Sequence, residues 1–121
     1  MKPHLIILFT FLLVVSGCMD QCSSRKIISG PYYLEKNETN VWELNYDLGG
    51  AGIGRVNSLK EIGWTDRYIF TKYDEVYFFI DKTRDSMYFN ANDIVIGPID
   101  SSTYLRFLDS LNLKDFKLKK P

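Results

Sequence analysis

Alternation with a period of two residues is the strongest constraint on what this chain can form. In "VWELNYDL" (residues 41–48) Trp42, Leu44, Tyr46 and Leu48 share one face of an extended segment, and Glu43, Asn45 and Asp47 share the other. Successive side chains of a strand point to opposite sides, so this segment predicts a half-buried strand. "RYIFTKY" (67–73) and "EVYFFI" (75–80) follow, separated by little more than Asp74, which predicts a tight hairpin. In the second run Val76, Phe78 and Ile80 lie on one face and Tyr77 and Phe79 on the other. A strand apolar on both faces is a central one, covered from two sides. "KIISGPYYL" (26–34) reads as a first strand with Gly30-Pro31 as an edge break. "MYF" (87–89) reads as a returning strand after the charged turn "DKTRDS", and "DIVIG" (93–97) as the last strand.

One segment departs from that rhythm. Tyr104, Phe107, Leu108 and Leu111 follow the i, i+3, i+4, i+7 spacing of one helical face. The expectation is a helix over about residues 102–112, capped by Asp100 or Ser101 accepting from free backbone N–H groups. The fold class is therefore α+β, mostly β: an antiparallel meander of five to seven strands with one C-terminal helix packed on it. No internal repeat interrupts it, and residues 26–121 read as a single β-rich domain.

The chain opens on "MKPH" and then runs "LIILFTFLLVV" over residues 5–15. A bilayer-spanning helix needs about 20 apolar residues. A short apolar core behind a basic start reads instead as a secretory signal peptide. Its end, Val15-Ser16-Gly17-Cys18, resembles the lipobox of bacterial lipoproteins at all four positions. The resemblance implies a diacylglycerol on the Cys18 thiol, cleavage before Cys18 with Val15, Ser16 and Gly17 as the recognition residues, and an N-acyl chain on the new terminus. Residues 1–17 are then the signal peptide, residues 18–25 a lipidated tether, and the location a bacterial cell envelope, with the membrane and its face left open.

Cleavage there leaves 104 of the 121 residues. Loss of Lys2 turns 15 basic against 15 acidic residues into 14 against 15, a net charge of −1. A balanced chain has no electrostatic reason to seek nucleic acid. The only histidine, His4, falls in the removed segment. That excludes Ser-His-Asp and Cys-His catalysis and most zinc and iron sites. With Cys18 acylated, Cys22 has no partner for an intramolecular disulfide and reads as a bystander in the tether. Neither an enzyme nor a cofactor beyond the covalent lipid is expected.

Other candidates reduce to structural roles. The glycines of "DLGGAGIGRV" stand at 49, 50, 52 and 54, which meets neither phosphate-loop spacing; a turn and glycine-rich edge strand is the reading. Glu61, Asp66, Asp74, Glu75, Asp81, Asp85, Asp93 and Asp100 read as solvated residues flanking turns. The lysines of "KDFKLKKP" read as a polar end that keeps the chain soluble, with attraction to anionic lipid as the alternative. Sixteen Tyr and Phe, with Trp42 and Trp64, are mostly core-forming. Tyr32, Tyr33 and Trp64 lie beside turn residues in "GPYY" and "GWTD" and form the candidate partner surface, clustered on one side. No metal site is expected.

"IGWTDRYIF", "YFFIDKTRDSMYF" and "IGPID", over roughly residues 62–113, resemble a group of small bacterial lipoproteins whose body is a domain of unknown function. That group carries no established activity, so it transfers no functional residues. Two function classes remain. One is a non-enzymatic, membrane-anchored binding or accessory domain of the envelope, using a sheet face or strand edge for a protein partner. The other is an envelope inhibitor or immunity protein against a toxin or wall-degrading enzyme. The second requires a rigid loop with an exposed acid or aromatic, such as "DKTRDS" or "GWTD".

Overall fold

A computed structural model describes residues 25–121. The expectations on Val15, Ser16, Gly17, Cys18 and Cys22 lie outside the described residues.

The alternating segments pair with their neighbours in sequence and divide into two sheets. β1 (Arg25–Ser29), β2 (Tyr32–Lys36), β3 (Trp42–Asp47) and β4 (Gly52–Leu59) form one antiparallel sheet in that order. β5 (Glu61–Trp64), β6 (Tyr68–Tyr73), β7 (Val76–Asp81) and β8 (Ile96–Ile99) form the second, also in order. The molecule is thus α+β and mostly β, with eight strands among the described residues rather than five to seven. Gly30, at φ 56°, and Pro31 make the tight turn of a β1–β2 hairpin instead of a break within one strand. Asp47 closes the β3–β4 turn by accepting from the N–H groups of Gly49 and Gly50 at 2.8 and 3.1 Å. Asp74, at φ 53°, closes the expected β6–β7 hairpin.

Two expectations near the C-terminal half are corrected. Met87 to Phe89 form no strand: Asp85 turns inward onto Arg55 and takes the chain off the ladder. Residues 93–97 are divided, with a short helix α1 (Ala91–Ile94) behind Asn90 and then β8, which carries Pro98 on the edge of its sheet. The second helix, α2 (Ser101–Ser110), stands where the stripe predicts it. Asp100 caps it, its carboxylate accepting from the Thr103 N–H at 2.8 Å.

The second sheet is the middle layer. Tyr32, Leu34, Leu44, Val56 and Leu59 of the first sheet meet Ile62, Ile69 and Ile80 of the second in one core. On the opposite face of the second sheet, Phe70, Tyr77 and Phe79 receive Tyr104 and Leu108 of α2. Tyr77 stacks on Tyr104 with ring centroids 4.1 Å apart, and Phe79 on Phe107 at 4.4 Å. β7 lies between β6 and β8 and feeds both cores, which is why both its faces are apolar.

The chain end is part of the fold. Lys119 exchanges both backbone hydrogen bonds with Ile62 at 2.8 and 2.9 Å, so the tail lies antiparallel along β5. Phe116 and Leu118 turn inward while Lys117 and Lys119 turn out. Gly63 makes room for them: a Cβ there would stand 2.7 Å from Phe116 Cζ. A merely solvated end is therefore not what these residues form.

Candidate functional site

The structure separates the three aromatic residues singled out as a partner surface. Tyr32 and Tyr33 are 2% and 5% exposed, and only Trp64, at 43%, reaches solvent. The physical reason is alternation: Tyr32 points into the core between the sheets, and Tyr33 lies on the outer face of the first sheet. There Arg25 covers its ring at 4.4 Å, and Gly52, lacking a Cβ, leaves space for its hydroxyl. The patch of three clustered rings does not exist.

Tyr32 belongs instead to a buried polar network. Its hydroxyl donates to Asp85 Oδ2 at 2.6 Å. Arg55, from β4, grips the same carboxylate with two hydrogen bonds, Nε to Oδ2 and Nη2 to Oδ1, each 2.9 Å. Neither side chain has accessible surface. The guanidinium also donates to the carbonyls of Ser86 and Gly54 at 3.1 and 3.3 Å, and lies 5.2 Å from the Tyr46 ring centroid. Burial, reinforced by the bond to Asp85, pushes the Tyr32 hydroxyl far above the ordinary tyrosine range. This phenol stays protonated and donates. Asp85, with no accessible side-chain surface, and Asp81, 8% exposed at the end of β7, are the exceptions among the carboxylates expected at solvated turns.

What this network holds is the root of a loop. Asp85 Oδ1 also accepts from the Ser86 N–H at 2.8 Å. On the N-terminal side, Lys82 N–H donates to the Arg67 carbonyl at 2.7 Å and its ammonium to Ser29 Oγ at 2.8 Å. Burial holds that ammonium below the ordinary lysine range, opposed by the Asp66 carboxylate. The Ser29–Lys82 contact fastens the 3-10 turn Lys82–Arg84 to β1. Beyond Ser86 the chain exposes Met87, Tyr88 and Phe89 in succession, with Tyr88 86% exposed.

The remaining acids do local work. Asp81 accepts from Arg67 at 2.9 Å and from Thr83, and the Arg67 guanidinium holds its carboxyl below the usual carboxylate range. Asp74 pairs with Lys60 at 2.8 Å on the surface, Glu61 approaches Lys72 at 3.8 Å, and Asp93 accepts from the Asn90 N–H at 3.0 Å. Among the described residues no three acids or thiols converge as a metal centre requires.

Trp64 stands at the lip of a groove of about 470 Å³ between the two sheets. Ile28 and Leu34 of the first sheet and Ile62 and Phe116 of the second layer supply an apolar floor. Lys26, Lys117, Lys119 and Lys120 form its rim. Sequence reasoning found Trp64 and the lysine tail separately. Their meeting depends on the pairing of Lys119 with Ile62, which no local signal announces. No protein-family model, curated protein or solved structure matches the chain.

Proposed function

We propose that this chain is a lipid-anchored, non-enzymatic binding domain of a bacterial cell envelope, held to its membrane through Cys18 and engaging an envelope protein through Met87, Tyr88 and Phe89. The anchor rests on the Val15-Ser16-Gly17-Cys18 resemblance. The binding role rests on one observation: a loop with a fully buried ion pair at its root displays three consecutive large apolar side chains at its tip. A buried ion pair is a poor source of net stability and is best used to select one conformation. Tyrosine and methionine are enriched where proteins meet, and a loop fixed before binding loses less entropy on association.

Two measurements test this. The N-terminal peptide of the protein purified from bacterial membranes should carry a diacylglyceryl thioether on Cys18, and an unmodified initiator methionine rules out the anchor. A photo-crosslinker at position 88 should capture one defined protein in intact cells, while one at Asn57, on β4, should not. Tyr88→Ala should remove a specific partner without lowering Tm.

The same loop suits the inhibitor or immunity reading, because a rigid, protruding aromatic is what blocks a cleft. That reading predicts a captured partner with hydrolytic or toxic activity, extinguished on 1:1 titration with this protein. A partner whose activity is unchanged at saturation leaves the accessory domain.

A further inference from the structure

We propose that the lysine-rimmed groove beside Trp64 is a second membrane contact, seated on the anionic headgroups of the bilayer that bears the anchor. Its side-chain charge is of one sign: Lys26, Lys117, Lys119 and Lys120 surround it, and no Asp or Glu among the described residues lines it, so the four ammonium groups outweigh the single terminal carboxylate of Pro121. None of these lysines is in an ion pair with another described residue. The surface is basic although the chain as a whole is balanced, so the complement it selects is an extended anionic surface.

The apolar component fits the same occupant. Trp64 is 43% exposed at the lip, with Ile28, Leu34 and Phe116 behind it. An indole beside lysines is the pairing suited to the headgroup zone, where the ring meets the acyl boundary and the ammonium groups meet phosphate. The tail achieves this by alternation. Phe116 and Leu118 are drawn into the core while Lys117 and Lys119 face out, and the Lys119–Ile62 pairing holds them there.

Chain length places the groove where such a surface is. Lys26 lies eight residues beyond Cys18, a span of at most about 28 Å. The inference takes only this proximity from the anchor reading. It also gives the domain an orientation. The groove occupies the open end of the β1–β2 hairpin, at Lys26 and Leu34, whereas Ser29 and Tyr32, at its turn end, hold the root of the Met87–Phe89 loop. With the groove on the membrane, the loop is presented away from it.

The test uses the full chain as cells process it, with Trp42→Phe leaving Trp64 as the one indole, reconstituted into vesicles containing brominated lipid. In phosphatidylglycerol vesicles Trp64 emission should be quenched; in phosphatidylcholine vesicles quenching should fall at least about threefold, as it should in raised salt. The Lys117→Glu/Lys119→Glu/Lys120→Glu variant should show the same loss, and the corresponding glutamine variant an intermediate one, with circular dichroism confirming that each is folded. Equal quenching in both lipids, no quenching in either, or variants indistinguishable from the parent overturns the proposal. An acyl chain of the protein's own anchor folded into the groove would leave Trp64 unquenched, and so also overturns it. The N-terminal mass spectrum decides the anchor separately, so the two readings fail independently.

Discussion

Asp85 and Arg55 have no accessible side-chain surface, yet each keeps its hydrogen bonds: the carboxylate takes both guanidinium contacts and the Tyr32 hydroxyl. Removing one partner of such a pair leaves the other charge buried alone. Asp85→Ala should therefore lose about 3–5 kcal/mol in urea titration. Before global unfolding it should also speed tryptic cleavage at Arg84, because the loop root opens. Tyr32→Phe removes one hydrogen bond to a charged acceptor and should cost about 1.5–3 kcal/mol. Thr71 shows the reverse case. It is 1% exposed on β6, and its Oγ1 has no partner among the described residues. Thr71→Val keeps the shape and deletes the orphan hydroxyl, so Tm should rise, corresponding to about 1 kcal/mol. A lower Tm would mean that the hydroxyl has a partner such as water.

Among the elements, the middle sheet depends on what covers its outer face. Leu108, 3% exposed on α2, packs among Phe70, Tyr77, Phe79 and Tyr104. Leu108→Ala should destabilise by about 2–5 kcal/mol, the range for a buried leucine whose cavity only partly collapses. The tail is a covering element too, because it occupies the free edge of β5 and shields Phe70, whose ring centroid lies 5.4 Å from that of Phe116. A chain ending at Asp115 would bare that edge and open the aromatic cluster. It should show a lower Tm and concentration-dependent association in sedimentation velocity, since an uncovered edge is a template for pairing. Tail removal that changes neither measurement would return these residues to a solvated end.

At the scale of the whole molecule, stability should fall at both extremes of pH. Backbone hydrogen bonds from Thr103 hold Asp100 below the usual carboxylate range, and those from Gly50 and Gly49 do the same for Asp47. Asp81 is lowered chiefly by Arg67. Because these folded-state values are depressed, the unfolded chain binds protons first as pH falls. Tm should thus decline below about pH 4, and Asp100→Asn should blunt that decline. Tyr32 has the opposite sign. Its folded value is raised, so the unfolded chain loses the proton first and stability should fall once pH rises above about 10. Tyr104 adds to this: burial pushes its hydroxyl up to about 12. Tm measured across the range should trace a plateau with two falling shoulders, and a Tm unchanged above pH 10 would contradict the buried phenols.

Whatever a few adjacent residues can encode was legible before folding. The period of Trp42, Leu44 and Tyr46 marked β3, the two-faced run of Val76 to Ile80 marked a central strand, and the spacing of Tyr104, Phe107, Leu108 and Leu111 marked the helix, because pattern and structure share one short repeat. Tertiary structure alone decided which side of a strand faces a core and what covers the other side, and hence that Tyr32 is buried between the sheets, Tyr33 is buried beneath Arg25, and Trp64 is not buried. It also turned Asp85 inward onto an arginine thirty residues earlier, and brought the lysines of the tail to Trp64 through pairing with Ile62. Those outcomes rest on contacts between residues distant along the chain, whose energy exists only once both sheets have formed and water has been excluded from between them.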